Sequence, residues 1–261
     1  MRRTHKSFYR LNLGITNCYL LRCPEGYLLI DTAYPDSYRR FRRAIDSLGV
    51  ELDQIRYLLL THHHDDHAGF AARLVAETGC TTVVHRDALP ALSRGTSEET
   101  MKPVNRCIKA VFALFHLIHP DFSYPGLTAA ENGVLVSGDN HDFLKSIGID
   151  GKILHTPGHT ADSICLLVDD AAFTGDTLFV GKVGGTDLGD GARTEYASLH
   201  DVLMKLPDET RVFPGHDVGI TPDSTIGRER AENPFLLRED LEAFVDLKRN
   251  WAEYKKEHGI A

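Results

Sequence analysis

The chain has 261 residues, 42% hydrophobic and 25% charged, ordinary proportions for a soluble globular protein with a core large enough for one α/β domain. Lys+Arg 29 against Asp+Glu 37 leaves a net charge of −8, which argues against nucleic acid as the main partner. Cys18, Cys23, Cys80, Cys107 and Cys165 are scattered, odd in number and form no CxxC, so they read as free thiols of a reducing compartment.

Residues 1–6 are basic, and Arg10, Asn12 and Asn17 interrupt the next stretch, so no signal-peptide core forms. No apolar run approaches the length of a membrane span, and the cytoplasm is the expected location. Residues 8–21 and 27–30 predict two strands joined near Cys23-Pro24-Glu25-Gly26. Helical spacing over 38–48 ends at Gly49, a stop signal. A buried strand is expected at 55–60, a helix at 68–78 ended by Gly79, and a strand at 81–85. Residues 90–132 are expected to form a helical insertion around an apolar helix at 104–119. Three roles are open to that helix: packing on its own domain, a homodimer contact, or a lid over a pocket. Further helices are expected at 195–205 and, charged, at 236–256. The alternation of strands and helices argues for an α/β sandwich built as a single domain over 1–261.

The chemistry concentrates in Thr61-His62-His63-His64-Asp65-Asp66-His67, directly after the strand at 55–60. Four imidazoles and two carboxylates at a strand end are where an enzyme mounts metals on a loop held by a rigid scaffold. Period-2 spacing puts His62 and His64 on one side of an extended segment, while Asp66 and His67 lie past the bend. Imidazole suits zinc, iron or nickel, and carboxylate adds a hard oxygen ligand. His63 is expected to face away.

Three later strands end in glycine-containing turns that each present one ligand-type side chain. These are Thr156-Pro157-Gly158-His159-Thr160, Gly175-Asp176-Thr177-Leu178-Phe179 and Pro214-Gly215-His216-Asp217. A lone histidine after a strand is usually structural, but three such turns beside a complete cluster reverse that reading. The candidate set is five His and two Asp: His62, His64, Asp66, His67, His159, Asp176 and His216. His116 and His119, in the insertion, are not needed as ligands.

His62-x-His64-x-Asp66-His67 followed by His159, Asp176 and His216 resembles the metallo-β-lactamase superfamily over roughly residues 8–236. Within it, the four motifs are similar to those of the glyoxalase II group, and residues 225–233 resemble a further motif of the family. The resemblance implies an αββα sandwich: two facing mixed sheets, helices outside, metals at one edge. It implies two divalent ions, usually zinc, sometimes iron or manganese. His62, His64 and His159 would hold the first ion, Asp66, His67 and His216 the second, and Asp176 would bridge them.

A water between two cations loses its proton near neutral pH and becomes a nucleophile, which Asp66 could orient as the catalytic carboxylate. A thiolate, with a reference pKa of about 8.5, leaves without an acid, so a thioester or related ester or lactone suits this site. A β-lactam would need more help and is a weaker expectation. The stretch after Asp176 lacks the Cys and Arg of glyoxalase II, and Lys182, Arg228 and Arg230 are the expected binders of an anionic small-molecule substrate. The alternatives are a mononuclear-iron persulfide dioxygenase, using His62, His159 and Asp176, and a non-catalytic binding protein on the same scaffold. No nucleic-acid partner and no membrane insertion are expected.

Overall fold

A computed structural model describes residues 8–97, 123–128 and 133–260. The chain divides into two compact units, Met1–Lys152 and Ile153–Ala261.

The first unit carries a six-stranded mixed sheet in the order β1 to β6: Phe8–Asn12, Asn17–Cys23, Gly26–Ile30, Ile55–Leu59, Thr81–His85 and Val134–Val136. The first three strands are antiparallel; β3 to β6 run parallel. Its helices are α1 (Tyr38–Asp46), α2 (Asp65–Ala68), α3 (Ala71–Thr78), α4 (Leu89–Arg94) and α5 (Asp142–Ser146). Tyr38, Phe41 and Ile45 recur at helical spacing and bury one face of α1. Phe41 meets Phe70 at a ring separation of 5.1 Å, in a core shared with Leu20, Leu29, Leu58 and Leu74. Burying one such ring contributes about 2–3 kcal/mol.

The second unit starts within β7 (Gly151–His155) and continues with β8 (Ile164–Val168), β9 (Ala171–Gly175), β10 (Leu178–Phe179), β11 (Lys182–Val183), β12 (Arg211–Pro214) and β13 (Ser224–Thr225). Five of these form a sheet in the order β13-β12-β9-β8-β7, with β9 and β12 parallel and β8 antiparallel to β9, so this sheet is mixed too. Strands β10 and β11 make a separate hairpin. The helices are α6 (Asp190–Ala197), α7 (Ile226–Glu232), α8 (Leu241–Arg249) and α9 (Trp251–His258). Leu199, Leu203, Val212, Ile226, Phe235 and Phe244 build its core.

Most expected elements form, with three corrections. The strand expected over 8–21 is two strands, because Leu13 N–H donates to Thr16 O at 2.9 Å and reverses the chain, pairing Asn12 with Asn17. The helix expected at 195–205 begins five residues earlier, at Asp190, and its last turns change pitch over Ser198–Val202 and Leu203–Lys205. The helix expected at 236–256 is α8 plus α9. The Asp240 carboxylate caps Ala243 N–H at 2.8 Å to start α8, and Asn250, out of helical geometry, separates the two. The expected helix at 104–119, with its dimer contact and with His116 and His119, lies outside the described residues, as does Cys107. Among the described residues no helix is long and apolar enough to cross a membrane.

Candidate metal centre

In the first unit, the segment after β4 carries the predicted ligands, and the neighbouring parallel strand β3 ends at the carboxylate that orients them. Strand β3 ends at Ile30, and Asp31 comes next with a φ of 59°, its N–H donating to Leu59 O of the neighbouring β4. The buried Asp31 carboxylate accepts Thr61 N–H at 2.7 Å, Thr61 Oγ1–H at 2.8 Å and His67 Nδ1–H at 2.8 Å. Holding the Nδ1 proton there leaves His67 Nε2 as a lone-pair donor, the arrangement metal-ligating histidines need. His67 is wholly buried, and its Nε2 lies 3.9 Å from Asp66 Oδ1.

His62 is fixed in the same manner. Its Nδ1 lies 3.1 Å from Thr61 Oγ1, whose own proton is directed to Asp31, so Nδ1 is the donor and Nε2 keeps its lone pair. That Nε2 lies 3.1 Å from His64 Nδ1. Below the cluster, Thr32 holds His67 O through its N–H (2.8 Å) and its hydroxyl (2.9 Å), anchoring α2. Asp65 exchanges hydrogen bonds with Ser97: its N–H to Ser97 Oγ at 2.8 Å, and Ser97 Oγ–H to Asp65 Oδ1 at 3.0 Å. Burial, then the neighbouring Asp66, raises the Asp65 carboxyl pKa. His63 is buried with its ring 5.0 Å from that of His64, and its carbonyl accepts Tyr124 Oη–H at 2.5 Å.

In the second unit, the ligand-type side chains lie in the turns after β7, β9 and β12; β9 and β12 are neighbours in the sheet, and β8 separates β9 from β7. Asp176 Oδ2 lies 3.3 Å from His216 Nε2 and 3.7 Å from His159 Nε2. His159 Nδ1–H donates to Gly185 O at 2.7 Å, which puts the lone pair on Nε2. The Phe179 ring approaches His216 at 5.9 Å. Behind the ligands, Cys165 Sγ meets Thr156 Oγ1 at 3.2 Å, and burial pushes its thiol up to about 11. Glu195 on α6 is wholly buried against Lys248 on α8 at 2.5 Å. Burial pushes its carboxyl up to about 7 against the opposing pull of the ammonium.

The donor set fits divalent ions. Ligand atoms about 2.1 Å from a tetrahedral ion stand about 3.4 Å from one another. The 3.1 Å His62–His64 and 3.3 Å Asp176–His216 separations match that spacing. All seven predicted ligands fall in groupings of His and Asp whose donor atoms approach closely enough to hold a metal ion.

The predicted substrate binders are placed differently. Lys182 donates to Val218 O at 2.8 Å, and burial lowers its pKa. Arg228 pairs with Glu232 at 2.9 Å and reaches Thr221 Oγ1 at 3.3 Å. Arg230 pairs with Asp208 and donates to Met204 O at 2.7 Å and Leu206 O at 3.2 Å. Both arginines therefore tie α7 to its surroundings.

Residues that sequence reasoning did not single out are Asp31, Thr32, Gly185, Glu195 and Lys248. Asp31 carried one signal, a carboxylate placed directly after the apolar run Tyr27–Ile30.

The sequence model of the metallo-β-lactamase superfamily matches residues 11–216. An uncharacterised protein of Mycobacterium tuberculosis is 35% identical over 234 residues, 84% of this chain and 92% of that protein. A probable hydroxyacylglutathione hydrolase of Schizosaccharomyces pombe is 30% identical over 243 residues, 91% of this chain and 75% of that protein. The crystal structure of ETHE1 from Myxococcus xanthus matches with a TM-score of 0.66 and 27% identity, covering 94% of this chain and 90% of that one.

Proposed function

The chain belongs to the metallo-β-lactamase superfamily, with its fold and a His/Asp metal site, and on that premise we propose that it is a dinuclear metallohydrolase of thioesters or related esters. By the family pattern, His62, His64 and His159 would hold one ion, Asp66, His67 and His216 the other, and Asp176 would serve both. The observation that carries it is the position of Asp176 Oδ2, within 3.7 Å of both His159 Nε2 and His216 Nε2. A carboxylate oxygen shared between two imidazoles suits a bridging ligand.

Bound divalent ions (zinc, iron or manganese) would supply Lewis acidity, lowering the pKa of water and drawing charge from a carbonyl oxygen. The chain's own residues supply orientation. Asp66 accepts a hydrogen bond from the attacking water and aims its lone pair. Asp31 and Thr61 lock the tautomers of His67 and His62. A thiolate leaves unassisted, because a thiol's reference pKa is only about 8.5. The name of the Schizosaccharomyces pombe relative supports an acyl thioester as the substrate class. Lys182, whose ammonium donates to Val218 O, is the candidate cation for an anionic carrier thiol. Arg228 and Arg230 act as tethers.

The test is metal content per chain on protein purified without added metal or chelator, followed by thiol release from a panel of acyl thioesters. Two ions per chain and chelator-sensitive thiol release are expected. One iron per chain, no thiol release, and oxygen uptake with a persulfide would replace the hydrolase with the dioxygenase reading.

A further inference from the structure

Lys248 is nearly buried, with 7% of its side chain exposed, and its partner Glu195 is wholly so. A buried ion pair is a poor stabiliser. The desolvation of both charges offsets their attraction, and apolar residues of similar volume hold a core as well or better. The surroundings could take such residues, since the ammonium lies 5.4 Å from the Phe244 ring centroid and 5.9 Å from that of Phe235. The pair must therefore be explained by what its atoms hold.

Lys248 Nζ makes a second contact, donating to Gly184 O at 2.7 Å. Gly184 and Gly185 form the segment that receives His159: Gly185 O accepts His159 Nδ1–H at 2.7 Å. The fit is tight, because a Cβ on Gly184 would come 2.2 Å from Asp176 O and 3.0 Å from His159 Cβ. Glu195 closes the circuit from the other side. Gly158, with φ +147°, lies so near α6 that a Cβ there would stand 2.4 Å from both Cα and Cβ of Glu195. Ser198 Oγ–H, one turn on, donates to Pro157 O at 2.6 Å. The contacts thus run from His159 through Gly185 and Gly184 to Lys248, across to Glu195, and back through Gly158 to His159.

We infer that Lys248 and Glu195 are positioning residues that hold the Gly184 carbonyl, and through it the adjoining Gly185, and thereby fix the tautomer and direction of His159. The inference rests on reading His159 as a metal ligand. Neither residue touches the reacting atoms. Their effect is on the metal end of the imidazole, whose Nε2 is aimed only while Nδ1 keeps its acceptor. Partners of this kind alter metal affinity by about 10–100-fold when removed.

The experiment uses cobalt-loaded full-length protein and compares wild type, Lys248→Met/Glu195→Leu, Glu195→Gln and His159→Ala. Removing both charges together leaves no unpaired buried ion, so the double variant unfolds within a few degrees of wild type. Its affinity for cobalt at one of the two ions falls about tenfold or more, by chelator competition, and the visible d–d absorption bands shift. Glu195→Gln, which keeps shape and an acceptor for Lys248, shifts the same bands less and serves if the double variant fails to fold. Unchanged bands and affinity in a folded double variant, or in Glu195→Gln where that alone folds, overturn the inference. His159→Ala separates the two levels. Loss of one ion in this variant, with unchanged bands in the others, leaves the metal-ligand reading intact and removes only the positioning role. Retention of both ions in His159→Ala removes the reading itself, and the inference with it.

Discussion

His67 and Asp31, 36 residues apart, meet at 2.8 Å between Nδ1 and Oδ2, inside a carboxylate that also holds Thr61 through two further hydrogen bonds. One buried anion therefore sets two ligand tautomers, directly at His67 and through Thr61 at His62. Asp31→Asn keeps the volume but turns one acceptor oxygen into an NH2 donor. That group must then face either Thr61 or the His67 Nδ1–H, leaving donors opposed in a dry site. The expected cost is about 1–3 kcal/mol of stability and about 10–100-fold in metal affinity. Urea unfolding and metal retention after dialysis against a weak chelator check both. Full retention with an unchanged unfolding midpoint would show that Asp31 is only a turn residue.

On the proposed reading Asp176 is the most consequential single ligand, because its Oδ2 stands near both His159 and His216. Asp176→Ala is expected to release metal and abolish turnover together. Metal content by mass spectrometry is the check. Lost turnover with both ions still bound would contradict a bridging role.

The candidate ligands were legible because each is a ligand-type side chain in a short turn after an apolar strand, a local pattern. Asp31, Glu195 and Lys248 were not, because their partners are remote: Thr61 is 30 residues from Asp31, and Gly184 is 64 from Lys248. Local pattern also fails at element breaks. Apolar periodicity runs through 8–21, yet a single backbone hydrogen bond from Leu13 to Thr16 folds that stretch into a hairpin. Charged helical spacing runs through 236–256, yet Asp240 and Asn250 cut it. Asp208 cannot be assigned to Arg230 from spacing, being 22 residues away, whereas Glu232 stands at the i+4 position from Arg228, a pairing that helical spacing alone offers.

The four described cysteines are buried and unpaired by disulfides. Burial raises the thiol pKa of Cys18, Cys23 and Cys80, and takes Cys165 to about 11. At pH 8 the thiolate, the reactive form, is then about one part in a thousand at Cys165. Iodoacetamide should leave all four untouched in the folded protein and label them in urea, by peptide mass mapping. Labelling of Cys165 before unfolding would mean that the core behind Thr156 and Thr177 opens in the native state.

His63 tests which histidines bind. Its neighbours at 62 and 64 turn ring nitrogens toward each other, whereas His63 lies edge-on to the His64 ring and contributes its main-chain carbonyl to the Tyr124 hydroxyl. The loop is held there by backbone, which His63→Ala leaves in place. The variant should keep both ions and lose about 1–3 kcal/mol of stability, the usual effect of emptying a buried site. Tyr124→Phe is the complementary change. It removes the hydroxyl that fixes the His63 carbonyl and should loosen His62 and His64 together, weakening metal binding more than His63→Ala does. Metal titration of the two variants side by side decides the matter. An ion missing from His63→Ala but present in Tyr124→Phe would make His63 a ligand and reverse the assignment within this cluster.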